Sequence, residues 1–311
     1  MTNPQPVRAS SGQSSPRPTV SVVIPALNEA KNLPHVFDRL PADIDEILLV
    51  DGGSTDGTVE VAQQLRSDVI VVQQTRRGKG NALACGFAKA TGDIIVMIDA
   101  DGSTDPAEIP DFVQALLEGA DYAKGSRFRP GGDSHDITRF RRLGNYGLNA
   151  IVNILFRTHY SDLCYGYNAF WRYALDVMDL PDIDIPAPAD GSKVWGDGFE
   201  VETLINIRVA AHKLVISEVP SIEACRLHGV SNLNAFSDGS RVLRTIFDEY
   251  TRLRRERRAG RSRSLRKASA AAVAPVPPPV SPSPVWNGPT VSLPGQRHLR
   301  PEAVVASGDA R

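Results

Sequence analysis

Three observations predict an α/β fold with a mainly parallel central sheet and helices on both faces. From residue 19 to residue 124, short β-branched runs alternate with helical stretches. The run at 93–98 is almost continuously apolar, as expected of a strand covered on both faces. Polar clusters follow three of the predicted strands, at the carboxyl ends where such sheets bind ligands.

The elements follow in order. Residues 20–24 are rich in Val and Ile and reach Pro25, where the first strand stops. Over 30–40, Leu33, Val36, Phe37 and Leu40 have helical spacing. A second strand at 44–50 precedes a helix at 58–65, with Thr55 and Asp56 as candidate caps. A third strand at 69–72 and a helix at 80–90 lead to the buried strand at 93–98. Pro106 opens a helix over 106–117, and a short fifth strand covers 122–124. The second half is less regular. Helices are expected at 139–156, 199–211 and 240–254, an extended segment at 163–170 and a strand at 214–219.

The chain has 311 residues, 41% of them apolar, enough for a sizeable core. Its 35 Lys and Arg nearly balance 36 Asp and Glu, but unevenly. Residues 251–311 carry twelve basic groups and three acids, a net of +9, and residues 19–250 have a net of −12. The division expected is a disordered leader at 1–18, a catalytic domain at 19–254, and a basic, then Ala/Pro-rich disordered tail at 255–311. The three cysteines, Cys85, Cys164 and Cys225, are an odd number without close spacing, and no apolar leader or membrane span is visible. A cytoplasmic protein is expected, held at most on the inner face of a membrane by its basic tail. Nucleic acid is not an expected partner.

Three motifs carry candidate chemistry. Asp99-Ala100-Asp101 ends the buried strand, and paired carboxylates suit a hard divalent cation that neutralises a diphosphate. The same pair would also serve as a tight turn through Gly102. The loop from Asp51 to Thr58 is glycine-rich, so it lets a ligand approach closely, and Asp51 offers a carboxylate to a base or ribose. Arg76-Arg77-Gly78-Lys79-Gly80 opens a helix, where anions are welcome, but its spacing is not that of a P-loop.

Residues 22–29 (VVIPALNE), 50–58 (VDGGSTDGT), 78–82 (GKGNA) and 99–101 (DAD), in that order, resemble the signatures of family 2 inverting glycosyltransferases. Residues 125–128, 162–170, 199–202, 218–220 and 226–234 resemble the dolichol-phosphate or polyprenyl-phosphate mannosyltransferase branch. The resemblance implies a GT-A fold over 19–235 and a Mg2+ or Mn2+ cofactor. It also implies a GDP- or UDP-sugar donor, with polyprenyl phosphate as the first choice of acceptor. It places Pro25, Asn28 and Glu29 in the nucleotide pocket, Asp51 on the base and Lys79 near the nucleotide. Asp99 and Asp101 would hold the donor and its metal, Arg127 and Arg139 the acceptor phosphate, and Arg226 and Ser231 the donor diphosphate. The chain departs from the branch in three places. Gly102-Ser103 replaces a Gln-containing pair after the acidic motif. Tyr165-Gly166-Tyr167-Asn168 lacks an arginine, and 229–233 (GVSNL) lacks a lysine.

A phosphate acceptor is already an anion and needs no base. A hydroxyl acceptor would need one, and Asp197, Glu200 and Glu202 are the candidates, with Glu200 placed among the catalytic residues. Two alternatives therefore stand beside polyprenyl phosphate. One is the same enzyme class acting on a soluble hydroxyl compound or a polysaccharide. The other is a nucleotide-sugar-binding protein without turnover, which intact Asp99 and Asp101 disfavour.

Overall fold

The computed structural model describes residues 17–229 and 235–273. The strands are β1 (Val20–Ala26), β2 (Glu46–Asp51), β3 (Ile70–Gln73), β4 (Ile94–Met97), β5 (Tyr122–Ser126), β6 (Asp133–Ser134), β7 (Asn168–Trp171), β8 (Ile216–Pro220) and β9 (Ile222–Glu223). The α-helices are α1 (Leu33–Asp38), α2 (Thr58–Leu65), α3 (Lys79–Lys89), α4 (Ile109–Leu117), α5 (Arg139–Phe156), α6 (Leu175–Met178), α7 (Val201–Ala211) and α8 (Ala235–Val273).

Seven strands form one sheet in the order β3-β2-β1-β4-β7-β5-β8, and β6 pairs with β9 apart from it. Every pairing in the large sheet is parallel except those of β7, which runs antiparallel to both β4 and β5. The parallel expectation holds for six strands. The exception matters, because the start of β7 then lies on the rim where β1, β4 and β5 end. The order reverses at β1, whose neighbours are β2 and β4, and ligands bind at such a switch point. Register sets Ala26 beside Asp51 and Val23 beside Met97, so the loops after β1, β2 and β4 converge there.

Side-chain alternation splits the core across the sheet. Val22 and Ile24 pack with Leu33, Val36 and Phe112 on one face. Val23 and Leu48 pack with Leu83, Phe87 and Ile205 on the other. A third cluster joins α5, α7 and α8 through Val152, Ile207, Val242 and Ile246. The sequence ends the last helix at 254, but α8 runs on to Val273. The extension is rich in Ala and Arg, both strong helix formers, so its basic run lies on a helix. The chain divides into two compact units, one ending at Gly260 and one beginning at Arg261. Residues 1–16 of the expected leader (1–18) and 274–311 of the expected tail (255–311) lie outside the described residues, as does Ser231.

Candidate active site

The rim at the switch point opens into a cleft of about 1270 Å³ that contains Pro25, Glu29, Lys79, Asp99, Asp101, Arg127 and Arg226 among its walls. The buried strand β4 delivers the acids: the chain leaves it at Met97 and turns through Ala100. Asp101 is fixed by its own loop, since Ser103 donates to its Oδ1 from the backbone (3.0 Å) and the hydroxyl (2.7 Å).

Two cations bind four of the acids that line the cleft. Lys79 Nζ lies 2.6 Å from both Asp99 Oδ1 and Glu202 Oε1. Burial opposes the charge on Lys79, but Asp99 and Glu202 outweigh it and hold the ammonium above its usual range. The Arg226 guanidinium bridges Glu29 Oε1 (3.0 Å) and Asp101 Oδ2 (2.9 Å). Burial pushes the Glu29 carboxyl up, and Asn32 and Arg226 partly counter that. Gly166, just before β7, makes room for this network, because a Cβ there would stand 2.5 Å from Glu202 Oε1.

The glycines beside Lys79 have a packing role. A Cβ on Gly80 would stand 1.8 Å from the Gly196 carbonyl oxygen, and one on Gly78 2.0 Å from that of Asp197. The Gly80 N–H donates to the Asp197 carbonyl at 2.8 Å. The 196–198 loop thus packs on the first turn of α3 and takes the Gly80 N–H, and Arg77, Gly78 and Lys79 of the same motif line the cleft. Arg76 clamps the same loop through a two-pronged pair with Asp197 at 2.7 and 3.0 Å.

Four predicted site residues have their polar atoms engaged by partners within the protein. Both oxygens of Asp51 accept from the backbone of its own loop, from the N–H groups of Gly53 and Ser54 at 3.0–3.2 Å. Asp51 shapes the cleft wall, and Gly52 and Gly53 form it. Asn28 sits at φ +57°, and its amide oxygen accepts from Thr55 N at 2.9 Å, joining the first two loops. Glu200 Oε1 accepts from Gly196 and Gly198, and Arg241 lies 3.7 Å from Oε2, so Glu200 braces the loop. Arg127 reaches the cleft wall, but Asp162 takes its Nε and Nη2, Glu223 its Nη1, and the Tyr165 ring lies 4.8 Å from its guanidinium. A guanidinium so occupied has little left for an acceptor phosphate.

One arm of the cleft was not visible in the sequence. Ile137, Phe140 and Leu148 line it beside Val242 of α8, with Arg141 at its edge. Val242 is remote from the other four along the chain and meets Leu148 only because α5 and α8 pack together.

The region with the acid pair at the end of β4 falls within the match to a family model. Glycosyl transferase family 2 matches residues 21–178. The chain belongs to that family. Among relatives of this transferase is a dolichol-phosphate mannosyltransferase of Pyrococcus furiosus, 32% identical over 75% of this chain. The present chain spans 62% of that protein's length. Glycosyltransferase AglJ of Haloferax volcanii is 29% identical over 73% of this chain and 71% of its own. Glucosyl-3-phosphoglycerate synthase of Mycobacterium tuberculosis, solved with Mg2+ and UDP, is 27% identical with a TM-score of 0.56. That match covers 74% of this chain and 79% of the other. The architecture is GT-A.

Proposed function

We propose that this transferase moves a sugar from a nucleoside-diphosphate sugar to a polyprenyl phosphate, with Mg2+ or Mn2+ as cofactor. The donor half rests on the floor of the cleft. Asp99 and Asp101 offer carboxylate oxygens, the donor type a hard cation takes. Among the described residues no cluster of three or more acids, His or Cys stands ready to enclose a metal. Two carboxylates leave coordination positions for diphosphate oxygens and water, which suits Mg2+. The ion would supply charge neutralisation of the departing nucleoside diphosphate. Arg226 now bonds to Asp101 Oδ2, and its guanidinium is available to turn toward the same diphosphate once that carboxylate has another partner. The structure of the synthase from M. tuberculosis that carries Mg2+ and UDP supports this reading.

The acceptor half rests on the fate of the three candidate bases. Asp197 is bound by Arg76, Glu200 by backbone N–H groups, and Glu202 by Lys79. An acceptor that arrives as an anion needs none of them for proton abstraction. The apolar arm along α5 and α8 is suited to the first isoprene units of such an acceptor. The mannosyltransferase of P. furiosus carries dolichol phosphate in its name, which favours the same class.

The test is direct. The purified chain is incubated with labelled GDP- and UDP-sugars, Mn2+ and a polyprenyl phosphate, then extracted with organic solvent. Label is expected in the organic phase for one donor and absent after EDTA treatment. Label only in water-soluble products would reject the lipid acceptor, and transfer undiminished by EDTA would reject the metal.

A further inference from the structure

Asn32 opens α1 and is buried, yet its side chain caps nothing. An asparagine at a helix start ordinarily accepts from a backbone N–H two or three residues on. Here the backbone is already helical, at φ −90° and ψ −32°, and the amide serves two other partners. Its Nδ2 donates to Glu29 Oε2 and, at 3.1 Å, to the carbonyl oxygen of His228. Both partners are acceptors, so only the NH2 end of the amide can face them. The other end, Oδ1, is buried without a hydrogen-bond partner among the described residues. An unpaired buried acceptor costs stability, so the needs of the helix do not account for this amide.

Both partners lead to the cleft. Thr58 Oγ1 takes the Glu29 N–H at 2.9 Å and fixes its backbone. The direction of the Glu29 carboxylate is then set by Asn32 at Oε2 and by Arg226 at Oε1. Arg226 reaches Asp101 with its other terminal nitrogen. His228 lies two residues beyond Arg226, in a stretch (224–229) without helix or strand. Such a stretch has no ladder of hydrogen bonds to hold it. Ala224 N donates to the Ser103 carbonyl at 2.8 Å, but Leu227 N reaches the Asp101 carbonyl only at 3.4 Å. Asn32 therefore supplies the tie on the far side of Arg226. One side-chain nitrogen grips both the acid that orients the guanidinium and the chain that carries it. The cleft wall includes Glu29 and Arg226 but not Asn32.

We propose that Asn32 is a positioning residue for the donor: by joining the Glu29 carboxylate to the His228 carbonyl, it fixes Arg226 beside Asp101. It acts through Arg226 and does not touch the reacting atoms. The inference deepens the donor half of the proposed reaction and rests on it. When a cation takes Asp101, Arg226 loses one of its two carboxylates. The Asn32 clamp on Glu29 and His228 is untouched by that exchange. The guanidinium then stays tethered through Glu29, and its freed nitrogen faces the diphosphate. An amide suits this position because its nitrogen carries two donors. A carboxylate of the same shape would set an acceptor against two acceptors, and an aliphatic side chain of the same size would drop both bonds.

The full chain is titrated with UDP and with GDP in the presence of Mn2+. Asn32→Leu keeps the size of the side chain and removes both donors. Its affinity for the diphosphate that the wild type binds should fall about tenfold. Arg226→Gln should cost at least as much, and adding Asn32→Leu to it should cost nothing further. Additive losses would overturn the proposal, because a residue that only supports the fold weakens both backgrounds alike. So would unchanged affinity in the single variant. Asn32→Ala makes the same removals with a smaller side chain and should give the same pattern, whether or not leucine fits. Trypsin gives a reading that needs no ligand. Cleavage of the Arg226–Leu227 bond should speed several-fold in either variant, with other cuts at the wild-type rate. An unchanged rate at that bond would overturn the clamp. Diphosphate binding without transfer to any lipid would overturn the acceptor reading and leave the role of Asn32 in place. Binding of neither diphosphate by the wild type would overturn the donor reading and this role with it.

Discussion

Arg127 and Arg226 both hold two carboxylates, yet their surroundings differ. The Arg127 side chain is 4% exposed, and Asp162 and Glu223 occupy its nitrogens just past the end of β5. The Arg226 side chain is 23% exposed and spans Glu29 and Asp101 across the mouth of a cleft. The first cluster has its donors and acceptors matched inside the protein. In the second, two cations each hold two acids beside a cavity that a metal and a diphosphate would enter. Residue type does not separate a structural arginine from a working one. Whether its hydrogen bonds are already committed, and whether water can reach them, does.

The largest effect that would break this comparison is at Arg127. Arg127→Met leaves Asp162 and Glu223 without their cation, and breaking a buried pair from one side costs about 3–5 kcal/mol. Urea unfolding should show that loss. If the variant keeps its stability and instead loses acceptor affinity, Arg127 belongs with Arg226 and the distinction fails. Asp101→Asn is the mirror test. Its loss should fall on transfer, about 10²- to 10³-fold in turnover, since charge stabilisation of the leaving group is the term removed. Stability should stay within about 1 kcal/mol, because the carboxylate is partly solvated and its ion pair is worth little to the fold. An inactive but equally unfolded variant would mean that the acids of the cleft are structural as well.

The same contrast explains what could be read from the chain alone. The strand–helix alternation, the glycine loops and the acid pair depend on neighbours in sequence, and the sheet and its rim followed from them. Antiparallel β7 did not, because nothing in residues 163–170 records which way they run beside β4 and β5. The roles of Arg127, Glu200 and Asp51 were also out of reach. Each motif shows a charged side chain, but its partner lies elsewhere: Glu223 is 96 positions from Arg127. Glu200 and Asp51 are committed to backbone amides of their own loops, which a motif does not reveal. Asn145, Asn149 and Asn153, which donate to Asp162, Ser161 and Tyr160, were legible in principle. Three asparagines at four-residue spacing beside an aliphatic stripe would have indicated which side of α5 faces the protein.

The two clusters should also differ in acid. Burial pushes the Asp162 carboxyl up, but Arg127 reverses that and holds it below its usual 3.8. A carboxylate depressed in the folded state contributes stability that is complete above its unfolded value. That stability is lost as pH falls through the folded value. Melting temperature should therefore drop steeply below about pH 4. Asp162→Asn should flatten that drop while lowering stability at neutral pH. An identical acid slope in the variant would mean that this cluster does not hold its charge as described.

The smallest expected effect sharpens the comparison most, because it keeps the geometry and changes only the surroundings. Arg66 grips Asp68 with two prongs at 2.9 and 2.8 Å, close to the 2.7 and 2.9 Å of Arg127 on Asp162. But Arg66 is 34% exposed and Asp68 66% exposed at the side chain, and the two lie only two residues apart. Water competes for both partners, and closing so short a loop restricts the unfolded chain very little. Arg66→Ala should therefore change unfolding free energy by less than about 1 kcal/mol, several-fold below Arg127→Met. Its acid slope should match that of the wild type within error. A loss comparable to that at Arg127 would mean that the fork geometry, rather than burial and the lack of alternative partners, makes an arginine structural in this fold.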